Sequence, residues 1–322
     1  MKKSHLLPVA VGCFLSLILS LSAQQGPINP KAVALLRWYP ANRATSFNVG
    51  SGAGEQGIAF DGANLWIANE FSNAVTKLRA SDGAVLGTFT IAAPWDVASD
   101  GANVWVTNVQ GTVTKLRASD GALLSTYAIG SNPGGIAFDG ANIWVGGDLG
   151  NLFPFYNVTK LRASDGAFLG SFYVGAYPIV GLAFDGANIW VTQCCQSSGF
   201  ITKLRASDGV QLGYFPVGGG NSAIAFDGSN IWVTNAWDNT VTKLRASDGA
   251  KLGTFPVGTF PEAAAFDGLN IWVTNAGSQT VTKLRASNGA TVGTFHLADY
   301  PRAIAFDGAN LWVLGGTTVS KM

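Results

Sequence analysis

Trp66, Trp105, Trp144, Trp190, Trp232, Trp272 and Trp312 stand 39, 39, 46, 42, 40 and 40 residues apart, each in an FDGxNxW stretch or its Ser-Asp-Gly variant. Self-similarity at this period marks a propeller or a solenoid, in which each unit buries its apolar surface only against its neighbours. One copy, VTKLRASDGAKLGTFPVGTFPEAAAFDGLNIWVTN (Val241 to Asn275), holds four short apolar runs: VTKLRA, KLGTFPV, AAAF and NIWVT. Between them lie Ser-Asp-Gly, Gly-Thr-Phe-Pro and Asp-Gly. Asp-Gly favours tight turns because glycine accepts positive φ and aspartate bonds its own backbone. No stretch beyond the extreme N-terminus has a helical apolar period. Four strands per repeat and seven repeats predict an all-β chain, a seven-bladed β-propeller of four-stranded antiparallel blades.

A straight solenoid is the competitor, and the chain ends decide against it. The last repeat stops at Val319 to Met322, one strand short. Near the N-terminus, Val33 to Gly50 aligns without gaps to Val241 to Gly258, so Arg43 to Val49 is placed to supply the missing outer strand. Closure of this kind removes the exposed edges of an open stack. Val33 to Arg37 would then duplicate the strand at Val319 to Met322, and nothing in the sequence places it elsewhere.

Lys2 and Lys3 precede an apolar run from Leu6 to Leu21 and a small-residue exit, the pattern of a secretory signal peptide over residues 1–23. Residues 24–32 read as a short linker and 33–322 as the propeller, placing the mature chain in a secreted, periplasmic or cell-surface setting. The apolar run is short for a bilayer span, so no stable membrane insertion is expected after cleavage. A formal net charge of +1 offers no basic patch for nucleic acid. The mature chain keeps two cysteines, Cys194 and Cys195, side by side: a vicinal disulfide or two loop thiols.

Twelve of the nineteen acids recur in FDG or SDG turns, and most bases recur in the VTKLR strands; these read as turn formers and inter-blade ion pairs. Glu55, Glu70, Asp96, Asp148, Asp238, Glu262 and Asp299 remain. In a four-stranded meander all seven fall on the face where inter-repeat loops and the loops after WVTN emerge. Arg302 joins them, in register with Glu262 one blade away. The non-repeating aromatics follow the same partition: Trp95, Trp237, Phe71, Phe153, Phe155, Tyr156, Tyr177, Phe260 and Tyr300, together with the long loops Asp148 to Asn157 and Gln193 to Phe200. Variable loops on a rigid scaffold are how binding surfaces are built.

The WVTN strands (Trp105 to Asn108, Trp232 to Asn235, Trp272 to Asn275), the period and the leader together resemble the YVTN-type β-propeller repeat family. They also resemble the wider group of NHL-repeat proteins, gluconolactonases and virginiamycin B lyase. That resemblance implies the fold and leaves the activity open. The lyase relatives imply a His-Glu pair with magnesium, whereas the mature chain's one histidine, His296, lies in an outer strand. The gluconolactonase likeness implies oxygen ligands for calcium or magnesium, for which Glu55, Asp96, Glu262 and the WVTN asparagines are candidates. The expected function is an exported, non-enzymatic binding or scaffold propeller taking a protein or glycan on Trp95, Trp237 and their neighbours. The alternative is a divalent-metal-dependent lactonase or lyase.

Overall fold

The computed structural model describes residues 45–49, 55–130, 132–148, 156–195 and 197–322, without the side chains of 55, 56 and 148. The expected leader, the linker and Val33 to Arg37 lie outside the described residues. Within them the chain forms seven four-stranded antiparallel sheets arranged as blades around a ring. Blade 5 is representative: Asn221–Phe226 innermost, then Asn230–Asn235, Thr240–Arg245 and Lys251–Pro256 outermost.

The FDGxNxW motif is a hydrogen-bonded unit. Asp227 Oδ1 accepts the backbone amides of Ser229 (2.9 Å) and Asn230 (2.7 Å), closing the turn. Its Oδ2 accepts Asn230 Nδ2 at 3.0 Å and the Trp232 indole Nε1–H at 2.8 Å. Gly228, at φ 93, supplies the left-handed step the turn requires. In the equivalent turns of Asp61, Asp100, Asp139, Asp267 and Asp307, burial alone would raise the carboxyl pKa. The donated hydrogen bonds outweigh it and hold the group below its ordinary value. The carboxylate is therefore charged at neutral pH and fixes the indole in place.

The fixed indole fills the space between blades. Trp232 is fully buried and packs with Val241 of its own blade and Ile271, Val273 and Leu284 of the next. Phe255 of the outer strand lies beside it, with ring centroids 5.6 Å apart. The SDG turn is also an inter-blade contact: Gly249, at φ 76, leaves room for the Phe215 ring of the preceding blade, which any Cβ would strike.

The VTKLR bases act differently from the expected inter-blade ion pairs. Arg245 Nη1 bonds Asp248 Oδ2 at 2.9 Å within its own blade, half exposed, and such a pair contributes little. The bridge between blades is lysine to backbone. Lys243 Nζ, 5.0 Å from the Trp232 ring centroid, donates to the Ala286 carbonyl of the next blade at 2.6 Å. The ammonium satisfies turn carbonyls and the ring face together, which no carboxylate partner could.

Ring closure follows the sequence reading. Thr45–Asn48 joins the last blade as its outer strand, pairing Thr45 with Lys321 through Asn48 with Thr318. Phe47 takes the place that Phe255 has in blade 5, its ring centroid 5.7 Å from that of Trp312. Across the seam, Lys321 Nζ donates to the Ala80 carbonyl of blade 1 at 2.8 Å. Val49, Trp312 and Val319 share one apolar cluster with Leu65 and Leu78.

Candidate functional site

The innermost strands carry a defect that builds the site. In six blades the ladder to the second strand slips: between Glu55 and Gly57, Pro94 and Val97, Ile179 and Gly181, Asn221 and Ile224, Pro261 and Ala263, and Pro301 and Ala303. A bulge leaves a residue unpaired and re-aims its side chain. The residues so released include Trp95, Asp96, Val180, Ser222, Glu262 and Arg302, and all six line one cavity of about 470 Å³ at the mouth of the ring.

The threonine of WVTN makes the bulge tolerable. Thr107 Oγ1 accepts the Asp96 amide at 2.9 Å, Thr234 Oγ1 the Ala223 amide at 2.7 Å, and Thr274 Oγ1 the Ala263 amide at 2.9 Å. Each of these part-buried amides at the bulge thereby keeps a hydrogen bond. The asparagine is also structural. Asn235 Nδ2 donates to the hydroxyls of Thr240 (3.0 Å) and Thr242 (2.9 Å), and the side chain is fully buried. Asn108, Asn235 and Asn275 are not among the residues that line the cavity.

Asp96 stands out by comparison among blades. The other six hold Gly57, Gly135, Gly181, Ala223, Ala263 and Ala303 at its position. Gly57 is what admits it, since a Cβ there would meet the Asp96 carboxylate. Its Oδ1 accepts the Val97 amide at 2.8 Å and its Oδ2 the Ile136 amide of blade 3 at 3.2 Å. Burial outweighs these bonds and pushes the carboxyl up to about 6. Across the cavity, burial also raises the Glu262 carboxyl, with the Arg302 guanidinium opposing it. The expected pairing of those two is one of charge at a distance: among the described residues no ion pair within 4.0 Å joins them.

The titration of Asp96 has a measurable sign. Its folded value of about 6 lies above the ordinary value of 3.8. The folded state therefore holds the proton more tightly, and stability falls as pH rises through that window. The ceiling is about 3 kcal/mol; the opening to the cavity reduces it to about 1 kcal/mol. Asp96→Ala copies the residue that three other blades carry. Its thermal midpoint relative to wild type should climb by roughly 2 °C between about pH 4 and pH 7. A difference that does not change with pH would contradict this environment for Asp96.

Of the other expected residues, Trp237 lines the cavity half-exposed, its indole lying on Gly220, whose φ of 65 and missing Cβ it requires. Phe260 lines the cavity as well. Phe71, Tyr177 and Tyr300 are exposed on loops outside the cavity wall. Tyr156 departs from expectation: it is buried between blades 3 and 4 with Val174 and Ile179. The third strand of its blade starts early, at Tyr156, and turns the ring into the core. Asp238 accepts the Gly219 amide at 2.8 Å and Asp299 the Thr318 hydroxyl at 3.1 Å, so both are spent on local loops. Phe153, Phe155 and the side chains of Glu55 and Asp148 lie outside the described residues. Cys194 and Cys195 are free thiols in the cavity wall. Asn221 and Ser222 also line it, unanticipated from sequence; the Ser222 hydroxyl bonds the Pro261 carbonyl at 2.8 Å.

Hydrazine synthase from Kuenenia stuttgartiensis is similar in structure, with a TM-score of 0.74 and 17% identity over 85% of this chain and 96% of that one. A streptogramin B lyase is similar with a TM-score of 0.72 and 20% identity over 87% and 96%. At these identities the likeness is one of fold. No family model and no curated protein matches the chain.

Proposed function

We propose that the chain is an exported binding propeller whose ring mouth takes the end of a glycan. The observation that supports this is the placing of Trp95 and Trp237 in one concave cavity with Asp96, Glu262 and Arg302. Indole faces offer flat apolar contact to a sugar ring. The carboxylates accept hydrogen bonds from hydroxyls and the guanidinium donates them. A volume of about 470 Å³ suits a small ligand or a chain end. A protein partner would need a much broader matching surface, so the glycan is favoured. Screening the mature chain on a glycan array tests the reading, with the Trp95→Ala/Trp237→Ala double variant beside it. Hits lost in the variant support it, and an array blank at every concentration counts against it.

A second reading, a lactonase or lyase, is favoured by one observation: Asp96 is pushed up to about 6 in the same cavity as Glu262. A carboxyl tuned toward neutrality can exchange protons with a substrate. His296, exposed on an outer strand (Thr291–His296), is not in the cavity. Calcium or magnesium would have to rest on Asp96, Glu262 and Glu55. The Glu55 side chain lies outside the described residues, and we derive no step through a metal. Assays across lactones and cyclic esters, with and without either ion, separate this reading from pure binding.

A further inference from the structure

The second strand of blade 4 ends at Gln193, and the next two residues are Cys194 and Cys195. Had the extended backbone continued, consecutive side chains would point to opposite faces and their sulfurs would be far apart. Instead Cys195 adopts φ 68, which turns its side chain back beside that of Cys194 and brings the two Sγ atoms to 2.8 Å. The corresponding loops of blades 1, 5 and 6 reach positive φ elsewhere, at Asn73, Asn239 and Gln279, immediately before the next strand. A residue with a Cβ held in this region is strained, and such strain gathers at functional positions. The Cys194 amide is tied to the Pro178 carbonyl at 2.9 Å, which anchors the kink. Both residues line the cavity, Cys195 exposed and Cys194 half-buried. Glycan binding makes no use of them.

We propose that Cys194 and Cys195 are a redox modification site, at which a vicinal disulfide is made and broken by exchange with a dithiol–disulfide partner, resetting the cavity wall. The exposed Cys195, as thiolate, attacks one sulfur of the partner disulfide and releases one partner thiolate. Cys194 then gives up its proton and attacks Cys195 Sγ, forming the intramolecular bond and expelling the second partner thiolate. The two protons end on the partner sulfurs: two cysteine thiols are oxidised and one partner disulfide is reduced. Burial and the adjoining Cys195 push the Cys194 thiol up to about 12, so Cys194 takes the second, resolving role. Neighbouring Cα atoms lie closer, at about 3.8 Å, than the roughly 4.4–6.8 Å that disulfides prefer. The bond is accordingly strained, and strained bonds are the readily reduced ones.

The test uses the full chain carrying Cys13→Ser, which leaves Cys194 and Cys195 as its only cysteines. It is treated with oxidised glutathione, then reduced glutathione, and alkylated at each stage for mass spectrometry. Expected is loss of two hydrogens on the Cys194–Cys195 peptide with no alkyl label, then recovery of both labels on reduction. Full labelling after the oxidant, a stable glutathione adduct or a disulfide between two chains would overturn the proposal. The indole N–H signal of Trp237 should differ between the two states, and Cys195→Ser should abolish the difference; an unchanged signal would refute the effect on the cavity wall. These readouts need no ligand, so they stand whatever becomes of the glycan reading.

Discussion

Trp232→Ala is expected to destabilise the propeller by about 3–5 kcal/mol, lowering its thermal midpoint by roughly 10 °C. The side chain is fully buried between two blades, and its removal opens a void lined by Ile271, Val273 and Leu284 of the next blade. It also takes from Asp227 the indole donor at 2.8 Å and from Lys243 the ring beneath its ammonium. An unfilled cavity and a carboxylate short of a donor act in the same direction. Because the ring is closed through Thr45–Asn48, a weakened joint between blades 5 and 6 is expected to lower the stability of the whole ring. Scanning calorimetry checks it, and a midpoint shift under about 3 °C would show that the strand tryptophans are not the principal inter-blade packing.

The Trp95→Ala/Trp237→Ala double variant is expected to do the opposite. Five residues from Trp232, Trp237 is 52% exposed, and Trp95 sits on a bulge facing the cavity rather than inside an inter-blade cluster. Their removal should leave the midpoint within about 1 °C of wild type, since exposed positions contribute little to stability. Affinity for a glycan found on the array should fall by about 2 kcal/mol, roughly thirtyfold, as expected for aromatic anchors at the centre of a site. Titration calorimetry and a melting curve on the same preparation measure both. Loss of affinity with loss of fold would assign these indoles to the scaffold.

The contrast between two tryptophans of one blade shows what the sequence makes legible. Trp232 recurs every 40 residues or so with its aspartate and asparagine, and repetition within the chain identifies it as framework. Trp237 breaks the repeat, and a departure from a repeated pattern points to something the scaffold does not need. Asp96 departs likewise, but its reach into the cavity depends on a bulge, and no residue type announces a bulge when Pro-Glu, Pro-Arg and Asn-Ser all occupy it. Asn221 and Ser222 were hidden for the same reason. Tyr156 illustrates the reverse limit: a strand that begins one residue early turns an expected surface ring inward, and period-2 geometry allows no intermediate outcome. The VTKLR lysines read from sequence as ion-pair partners because charge suggests charge, whereas their partners are backbone carbonyls that leave no mark on side-chain sequence.

The most direct measurement of the binding claim follows the indole N–H signals during a titration with an oligosaccharide found on the array. Seven of the ten tryptophans donate their indole N–H to the turn aspartates and are shut away between blades. The signals of Trp95 and Trp237 are expected to move with saturation, while those seven hold still. Saturable binding that leaves both of these signals in place would contradict the assignment of the ring mouth as the binding site.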